Sequence, residues 1–163
     1  MKYIVTGGAG FIGSNLVDLL IEEGHEVYVI DNFSSGKKEN CNEKAQYFEL
    51  DISDSNNYED LKRILIGSGG VFHLAALPRV QESIDNPLHF EKNNTLSTIN
   101  ILKACADSNV KRLVYSASSS AYGNTIQLPS KEEDPVDPIS PYAMQKYYAV
   151  SYTHLTLPTT SPV

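Results

Sequence analysis

Tyr142 and Lys146 lie four positions apart, so on a helix they would share one face. A tyrosine titrates near a pKa of about 10, so it acts as a base at neutral pH only where neighbouring positive charge favours its phenolate. The Lys146 ammonium would supply such a charge. Serines at 116 and 118–120 precede the pair, and a serine hydroxyl can share the proton and orient a substrate. These residue types form a coherent acid–base set, although a Tyr-x-x-x-Lys pair alone is also typical of a solvated helix surface.

A second group of residues, near the amino terminus, has the spacing of a phosphate-binding loop. Gly7, Gly10 and Gly13 follow a short apolar run and lead into a helical pattern, which permits a tight turn and close backbone approach to a pyrophosphate. Asp31 ends the next apolar run, where a carboxylate accepts hydrogen bonds from an adenosine ribose and repels a 2′-phosphate. Together they predict an NAD site rather than an NADP site. Taken singly, the glycines are also typical of an ordinary turn and Asp31 of a turn cap.

Both groups need a scaffold that joins distant segments, and the chain alternates strand-like and helical patterns. Strands are predicted at 2–6, 27–30, 46–50, 71–74 and 112–116, and helices from 12 towards Gly24, over 58–65, over 87–107 and from Ser140-Pro141 onward. In the first helix the expected buried face comprises Ile12, Leu16, Leu19 and Leu20. The alternation predicts an α/β fold, a doubly wound parallel sheet whose strand ends line a shared crevice.

Composition excludes several classes of protein. The 163 residues are 41% hydrophobic with a net charge of −7, which suits one globular domain and argues against nucleic-acid binding. The chain has no apolar run of about 18 residues and no signal-peptide pattern, so we expect no membrane contact and a cytoplasmic location. Cys41 and Cys105 lie far apart, which predicts reduced structural thiols and no metal site.

Taken together, these residues resemble the extended short-chain dehydrogenase/reductase family, within its NAD-dependent epimerase/dehydratase group, over about residues 1–149. The resemblance implies that Tyr142 is the catalytic base, that Lys146 holds the nicotinamide ribose and favours the phenolate, and that Ser118 hydrogen-bonds the reacting oxygen. It also implies a set of cofactor-binding residues that includes Tyr142 and Lys146. The others are Gly7, Gly10, Phe11, Ile12, Gly13, Asp31, Asn32, Ser35, Gly36, Asp51, Ile52, Leu74, Ala75, Ala76, Asn94 and Ser116.

Two positions bear on which activity the resemblance implies. Ser119 and Ser120 stand where the 4,6-dehydratases of this group carry Asp-Glu, and serine cannot replace those carboxylates at neutral pH. The chain is therefore most similar to the UDP-glucose 4-epimerases, which implies a nucleotide-sugar substrate, a 4-keto intermediate and a homodimer. Ser97 stands where the family usually has glycine, which leaves the local helix contact open. A sister dehydratase, reductase or decarboxylase, or an NAD-binding module without catalysis, remains an alternative.

Family members continue beyond the Tyr-x-x-x-Lys pair with a sixth strand and a smaller domain that binds the sugar nucleotide. From Val150 the chain resembles translated sequencing-adaptor DNA instead. We therefore expect 1–149 to be an incomplete NAD-binding Rossmann domain, with strand five as a sheet edge, and 150–163 to be a non-native tail. A chain truncated in this way is expected to be inactive alone. The tail's threonines are poor material for extending the last helix, and Pro158 is expected to stop it.

Overall fold

A parallel sheet of five strands lies at the centre of the molecule. The structure is a computed structural model, and it describes residues 1–125 and 128–156, with side chains up to Tyr152 in the last helix. The strands are β1 (Lys2–Thr6), β2 (Glu26–Asp31), β3 (Gln46–Glu49), β4 (Gly70–His73) and β5 (Leu113–Tyr115). Their order is β3-β2-β1-β4-β5, with every neighbouring pair parallel. The predicted α/β fold is confirmed, and β5 is an edge strand among the described residues.

Helices connect these strands and cover the sheet. They are α1 (Phe11–Glu22), α2 (Tyr58–Leu65), α3 (Val80–Asp85), α4 (Pro87–Glu91), α5 (Ser97–Asp107) and α6 (Pro141–Thr156). Three-residue and four-residue 3₁₀ turns occur at Lys38–Asn40, Ser55–Asn57 and Ser119–Tyr122. The single helix predicted over 87–107 is present but not uniform, because a π-helical turn (Lys92–Leu96) joins α4 to α5. No helix in the described part of the chain has the length and apolarity needed to cross a bilayer.

Each face of the sheet carries its own apolar layer. Ile4 and Val5 are successive residues of β1, so their side chains point to opposite faces of the sheet. Both are fully buried, which shows that both faces are covered. Ile4 packs with α2 and α5, for example with Leu61 and Ile101, whereas Val5 packs with Val17 of α1. Burial on both faces explains why these strands are continuous apolar runs rather than alternating ones.

The buried face of α1 agrees with the predicted one in part. Gly13, Val17 and Leu20 are buried, whereas Ile12 and Leu19 are 64% and 53% exposed. The helix approaches the sheet through a glycine, which contributes no hydropathy signal. The apolar pattern is therefore right for Leu20 and for Leu16, which packs partly buried against the same layer, and wrong for Ile12 and Leu19. The bounds of the helix agree with the prediction.

The start of α6 agrees with the prediction. Ser140 caps the helix, since its Oγ accepts the Ala143 N–H at 3.2 Å, and Pro141 is the first helical residue. The threonines, expected to be poor material for extending this helix, do not end it before Thr156. Each threonine costs a helix only about 0.7 kcal/mol, too little to end one whose preceding turns are packed. Pro158 lies outside the described residues.

Candidate functional site

A cavity of about 440 Å³ lies along the carboxyl ends of the strands. It brings together most of the cofactor-binding and catalytic residues predicted from the sequence. These are Gly7, Gly10, Phe11, Ile12, Gly13, Asp31, Asn32, Ser35, Gly36, Asp51, Ile52, Leu74, Ala75, Ala76, Ser116, Tyr142 and Lys146. Residues that were not predicted also line it, namely Ile30, Ser34, Leu50, Leu77, Pro78, Asn93, Ser97 and Ala117. Asn94 and Ser118 are absent from its lining.

The glycine loop forms one wall of the cavity because its backbone passes close to other backbone segments. Gly7 has a φ of +72°, and a Cβ there would lie 2.8 Å from the backbone nitrogen of Ala75. A Cβ on Gly13 would lie 2.1 Å from the carbonyl oxygen of Gly7. The amino terminus of α1 therefore sits directly on the end of β1. Its first-turn N–H groups have no partners within the helix, which makes this wall suitable for an anion.

Asp31 lies at the end of β2 and is 9% exposed. Its Oδ2 accepts the Ala9 N–H at 2.9 Å and its Oδ1 accepts the Phe33 N–H at 2.8 Å. A Cβ on Gly36 would lie 3.0 Å from Oδ1, so glycine keeps this carboxylate accessible. Asp31 thus caps a turn and also faces the cavity. Each carboxylate oxygen retains a lone pair, so both roles are compatible.

Lys146 lies at the opposite end of the cavity and is only 4% exposed. Its Nζ donates to the Ser116 carbonyl at 2.9 Å and lies 4.9 Å from the centroid of the Tyr115 ring. Burial lowers the pKa of Lys146 to about 8, because the charged amine loses its hydration. Near neutral pH the group is still largely an ammonium. It retains two further N–H donors, which a ligand hydroxyl in the cavity can accept from.

Tyr142 is held in place by a contact that the sequence does not signal. The tyrosine is 9% exposed, and its backbone N–H donates to Ser83 Oγ at 3.1 Å. Ser83 belongs to α3, and its hydroxyl in turn donates to the Val80 carbonyl at 2.6 Å. The short helix α3 therefore anchors the first turn of α6, which carries the tyrosine. No feature of the residues around Ser83 predicted this helix or its contact.

Ser118 lies beside the cavity rather than in its wall. It caps the 3₁₀ turn Ser119–Tyr122, where its Oγ accepts the Ser120 N–H and lies 2.8 Å from Ser120 Oγ. The strand-end residues Ser116 and Ala117 line the cavity in its place. The interaction of Ser118 with a reacting oxygen stays a prediction.

Asn94 lies in the π-helical turn and is 1% exposed. Its Oδ1 accepts the Leu77 N–H at 2.8 Å, and its Nδ2 donates to Gln145 Oε1 at 3.1 Å and to the Leu77 carbonyl at 3.2 Å. The carboxamide therefore fixes a cavity-lining segment and α6 rather than facing the cavity itself. Ser97, in the position usually occupied by glycine, is buried and donates its hydroxyl to the Asn93 carbonyl. A direct contact of Asn94 with a cofactor stays a prediction.

Across the described residues, no group of three or more side chains that could ligate a metal comes together. The cavity offers backbone amides and hydroxyls, accepting carboxylates at one end and a donating ammonium at the other. This arrangement can hold a long, anionic ligand with a charged centre and hydroxyls at both ends.

Comparison with known proteins agrees with this geometry. The profile of the NAD dependent epimerase/dehydratase family matches residues 3–156. A putative UDP-glucose 4-epimerase from Methanocaldococcus jannaschii is 38% identical, with 93% of this chain and 50% of that protein aligned. The UDP-glucose 4-epimerase of Lactobacillus helveticus is 39% identical, with 90% of this chain and 44% of that protein aligned. The chain spans about half the length of the curated relatives it matches.

Solved structures give the same result. The UDP-glucose 4-epimerase of Thermotoga maritima, determined with UDP-glucose, superposes with a TM-score of 0.89 at 40% identity. The match covers 96% of this chain and 51% of that one. The UDP-glucose 4-epimerase of Thermus thermophilus in complex with NAD superposes with a TM-score of 0.86 at 34% identity, with coverages of 95% and 50%.

Proposed function

This chain belongs to the NAD-dependent epimerase/dehydratase family, and we propose that it carries the cofactor-binding and proton-transfer half of a nucleotide-sugar 4-epimerase. The observation that carries the proposal is a single cavity with Asp31 at one end and the Tyr142–Lys146 pair at the other. The curated relatives and solved structures named above are UDP-glucose 4-epimerases, which supports this activity over the sister reactions. For the whole protein we propose a UDP-sugar substrate and a homodimer.

The residues of the cavity fit NAD, the cofactor of this family. The glycine loop and the amino terminus of α1 would hold the pyrophosphate, and Asp31 would accept from the adenosine ribose. Asp51 and Ile52 would lie beside the adenine. Two close approaches support this fit, because a Cβ on Gly36 would crowd Asp31 and a Cβ on Gly7 would collide with Ala75. Lys146 would hold the nicotinamide ribose.

The chemistry divides between cofactor and protein. NAD, when bound, accepts a hydride from the sugar and returns it to the other face of the same carbon. Tyr142 takes the proton of the sugar 4-hydroxyl as the carbonyl forms, and gives it back to that oxygen afterwards. The Lys146 ammonium favours the phenolate that this step requires, since a nearby positive charge stabilises the anionic form. In this proposal Ser118 hydrogen-bonds the reacting oxygen, with its hydroxyl turned away from Ser120.

Serine at positions 119 and 120 argues against a 4,6-dehydratase. Ser119 is exposed, and Ser120 is half-buried with its hydroxyl against Ser118. A hydroxyl at either place cannot supply the general acid and base that water elimination requires near neutral pH. The proposal therefore keeps epimerisation, which needs the single base at Tyr142.

The test uses the whole protein that contains this chain, with UDP-glucose and UDP-galactose as substrates. We expect Tyr142→Phe to lower kcat by about 10²- to 10⁴-fold, the usual contribution of a positioned acid–base group, with little change in NAD affinity. Tyr148→Phe is the matched control, since this tyrosine lies on the same helix and is 47% exposed. The 163-residue chain alone is expected to give no turnover.

Two results would overturn the proposal in different ways. Undiminished turnover in Tyr142→Phe would remove Tyr142 as the base while leaving the activity. A whole protein that binds NAD but interconverts no UDP-sugars would exclude the epimerase and favour a binding module.

A further inference from the structure

A histidine and a tyrosine lie side by side behind the cavity wall, next to Lys146. The rings of His73 in β4 and Tyr115 in β5 stack with centroids 5.6 Å apart and an interplanar angle of 29°. Lys146 Nζ lies over the Tyr115 ring, 4.9 Å from its centroid. We call His73 and Tyr115 the ring pair. Neither ring lines the cavity, whereas Lys146, which Tyr115 contacts, does.

Hydrogen bonds hold the histidine at both ring nitrogens. Thr98 Oγ1 donates to the Asn94 carbonyl at 2.6 Å, so it accepts from His73 Nε2 at 3.0 Å. His73 Nδ1 consequently carries no proton and accepts from Thr6 Oγ1 at 2.7 Å. The Thr6 oxygen in turn accepts the Ala75 N–H at 3.2 Å. Complete burial lowers the pKa of His73 to about 3, so the imidazole is neutral, and the bonds at its two nitrogens fix the orientation of the ring.

The hydroxyl of Tyr115 contributes little to this arrangement. It is buried beside the Thr98 hydroxyl, with which it interacts, but it makes no well-formed hydrogen bond among the residues that the structure describes. Burial raises the pKa of this phenol, so it stays uncharged. What Tyr115 offers its neighbours is the aromatic face, which carries the negative end of the ring quadrupole.

The Lys146 ammonium needs such a partner. It is almost removed from water, and Ser116 supplies the hydrogen-bond acceptor found for it, through a carbonyl. Aromatic faces attract ammonium groups most strongly when the contact is desolvated. We propose that Tyr115 is a positioning residue for Lys146, holding the ammonium over its ring while His73 holds the ring. The catalytic meaning of this contact rests on the proposed function, but the contact itself does not.

The test measures the pKa of Lys146 in this chain by NMR of lysines labelled with carbon-13 at Cε. The Lys146 signal is assigned as the one that disappears in Lys146→Met. Tyr115 is then replaced by Phe and by phenylalanines that carry one and three ring fluorines. Fluorine weakens the negative potential of the ring face while largely keeping the shape of the ring. Tyr115→Leu removes the face altogether. The titrations are repeated with Tyr142→Phe, so that ionisation of that neighbouring phenol does not overlap.

Tyr115→Phe is expected to leave the pKa of Lys146 near the starting value of about 8. The pKa should fall with each step of fluorination, to about 1 below that value for the trifluorinated ring and for Tyr115→Leu, the size a desolvated cation–π contact implies. The NMR signal of Lys37, whose side chain is exposed, is the internal control and should be the same in every variant.

A Lys146 pKa that ignores fluorination would overturn the proposal. So would a fall in Tyr115→Phe as large as that in Tyr115→Leu, because the hydroxyl would then be responsible. Amide spectra check that each variant folds, and the fluorinated series tests the role of the ring face even if Tyr115→Leu does not fold. Neither NAD nor a sugar is present, so failure here leaves the proposed epimerase activity standing, and the converse also holds.

Discussion

Adding a single methyl group at Gly13 should destabilise the chain and disturb the glycine-loop wall of the cavity. In a helix interior, alanine is favoured over glycine by about 1 kcal/mol, so propensity alone predicts that Gly13→Ala stabilises the chain. The structure predicts the opposite. The new Cβ would lie 2.1 Å from the Gly7 carbonyl oxygen and 2.7 Å from Gly8 Cα. The distance to the oxygen is more than an ångström below an ordinary van der Waals contact. Both obstacles are backbone atoms, which cannot rotate aside.

The helix must therefore move off the end of β1. Overpacking of this kind costs about 1 to 3 kcal/mol or more, and backbone obstacles place Gly13→Ala at or above the upper limit. After the gain in helix propensity, we expect the free energy of unfolding to fall by about 2 kcal/mol or more. The same movement displaces the amino terminus of α1 in the cavity, so NAD affinity should fall about tenfold or more, the equivalent of 1.4 kcal/mol.

Urea unfolding followed by far-UV circular dichroism measures the stability, since the chain has no tryptophan, and titration calorimetry measures NAD binding. Gly69→Ala is the matched control. Its Cβ would meet nothing closer than the Met1 sulfur at 3.4 Å, so stability and affinity should stay close to the starting values. If Gly13→Ala is as stable as the unaltered chain and binds NAD equally well, α1 does not rest on the loop as described.

Two further predictions concern buried titratable groups. In the folded chain the pKa of His73 is about 3, against an ordinary 6.5. Between these pH values the unfolded chain binds a proton that the folded chain does not. The free energy of unfolding should therefore fall by about 1.4 kcal/mol per pH unit below 6.5. His73→Gln should show a shallower loss in urea unfolding between about pH 7 and pH 5, and equal slopes would contradict the burial of a neutral imidazole. Burial raises the pKa of the Cys105 thiol to about 12, so a thiol-specific chromogenic reagent should label the native chain at Cys41 alone. Cys41→Ser should remove the native reaction, whereas rapid labelling of both thiols would show that Cys105 is accessible.

The sheet and most of the cavity could be predicted because local signals determine them. Buried parallel strands are apolar runs, and the residue that follows each run lies at the same edge of the sheet as its counterparts. That rule placed Asp31 and Ser116 together from the ends of two separate runs, whereas the role of Asp51 came from the resemblance to the family. Ser140-Pro141 likewise predicted the first turn of α6, because capping depends on adjacent residues alone.

Other features depend on contacts between segments that are distant in the chain. The orientation of α1 is set by how closely Gly13 approaches β1, and hydropathy does not record the absence of a side chain. The bond from Tyr142 to Ser83 joins residues 59 positions apart, and neither residue type indicates its partner. Whether a polar side chain such as Asn94 faces a cavity or supports its wall also depends on packing that no local pattern encodes.

The π-helical turn Lys92–Leu96 bears on how this chain tolerates insertions and deletions. A π turn closes its hydrogen bonds one residue later than an α turn, so it holds one residue more than a uniform helix would need. Deleting one residue there would let α4 and α5 merge into a regular helix, and because the π turn takes up its extra residue locally, the helices on either side would keep their faces. Phe90, now 2% exposed, would stay in its pocket. The deletion would instead change the turn itself, and with it the position of Asn94, which lies in the turn and hydrogen-bonds Gln145 of α6.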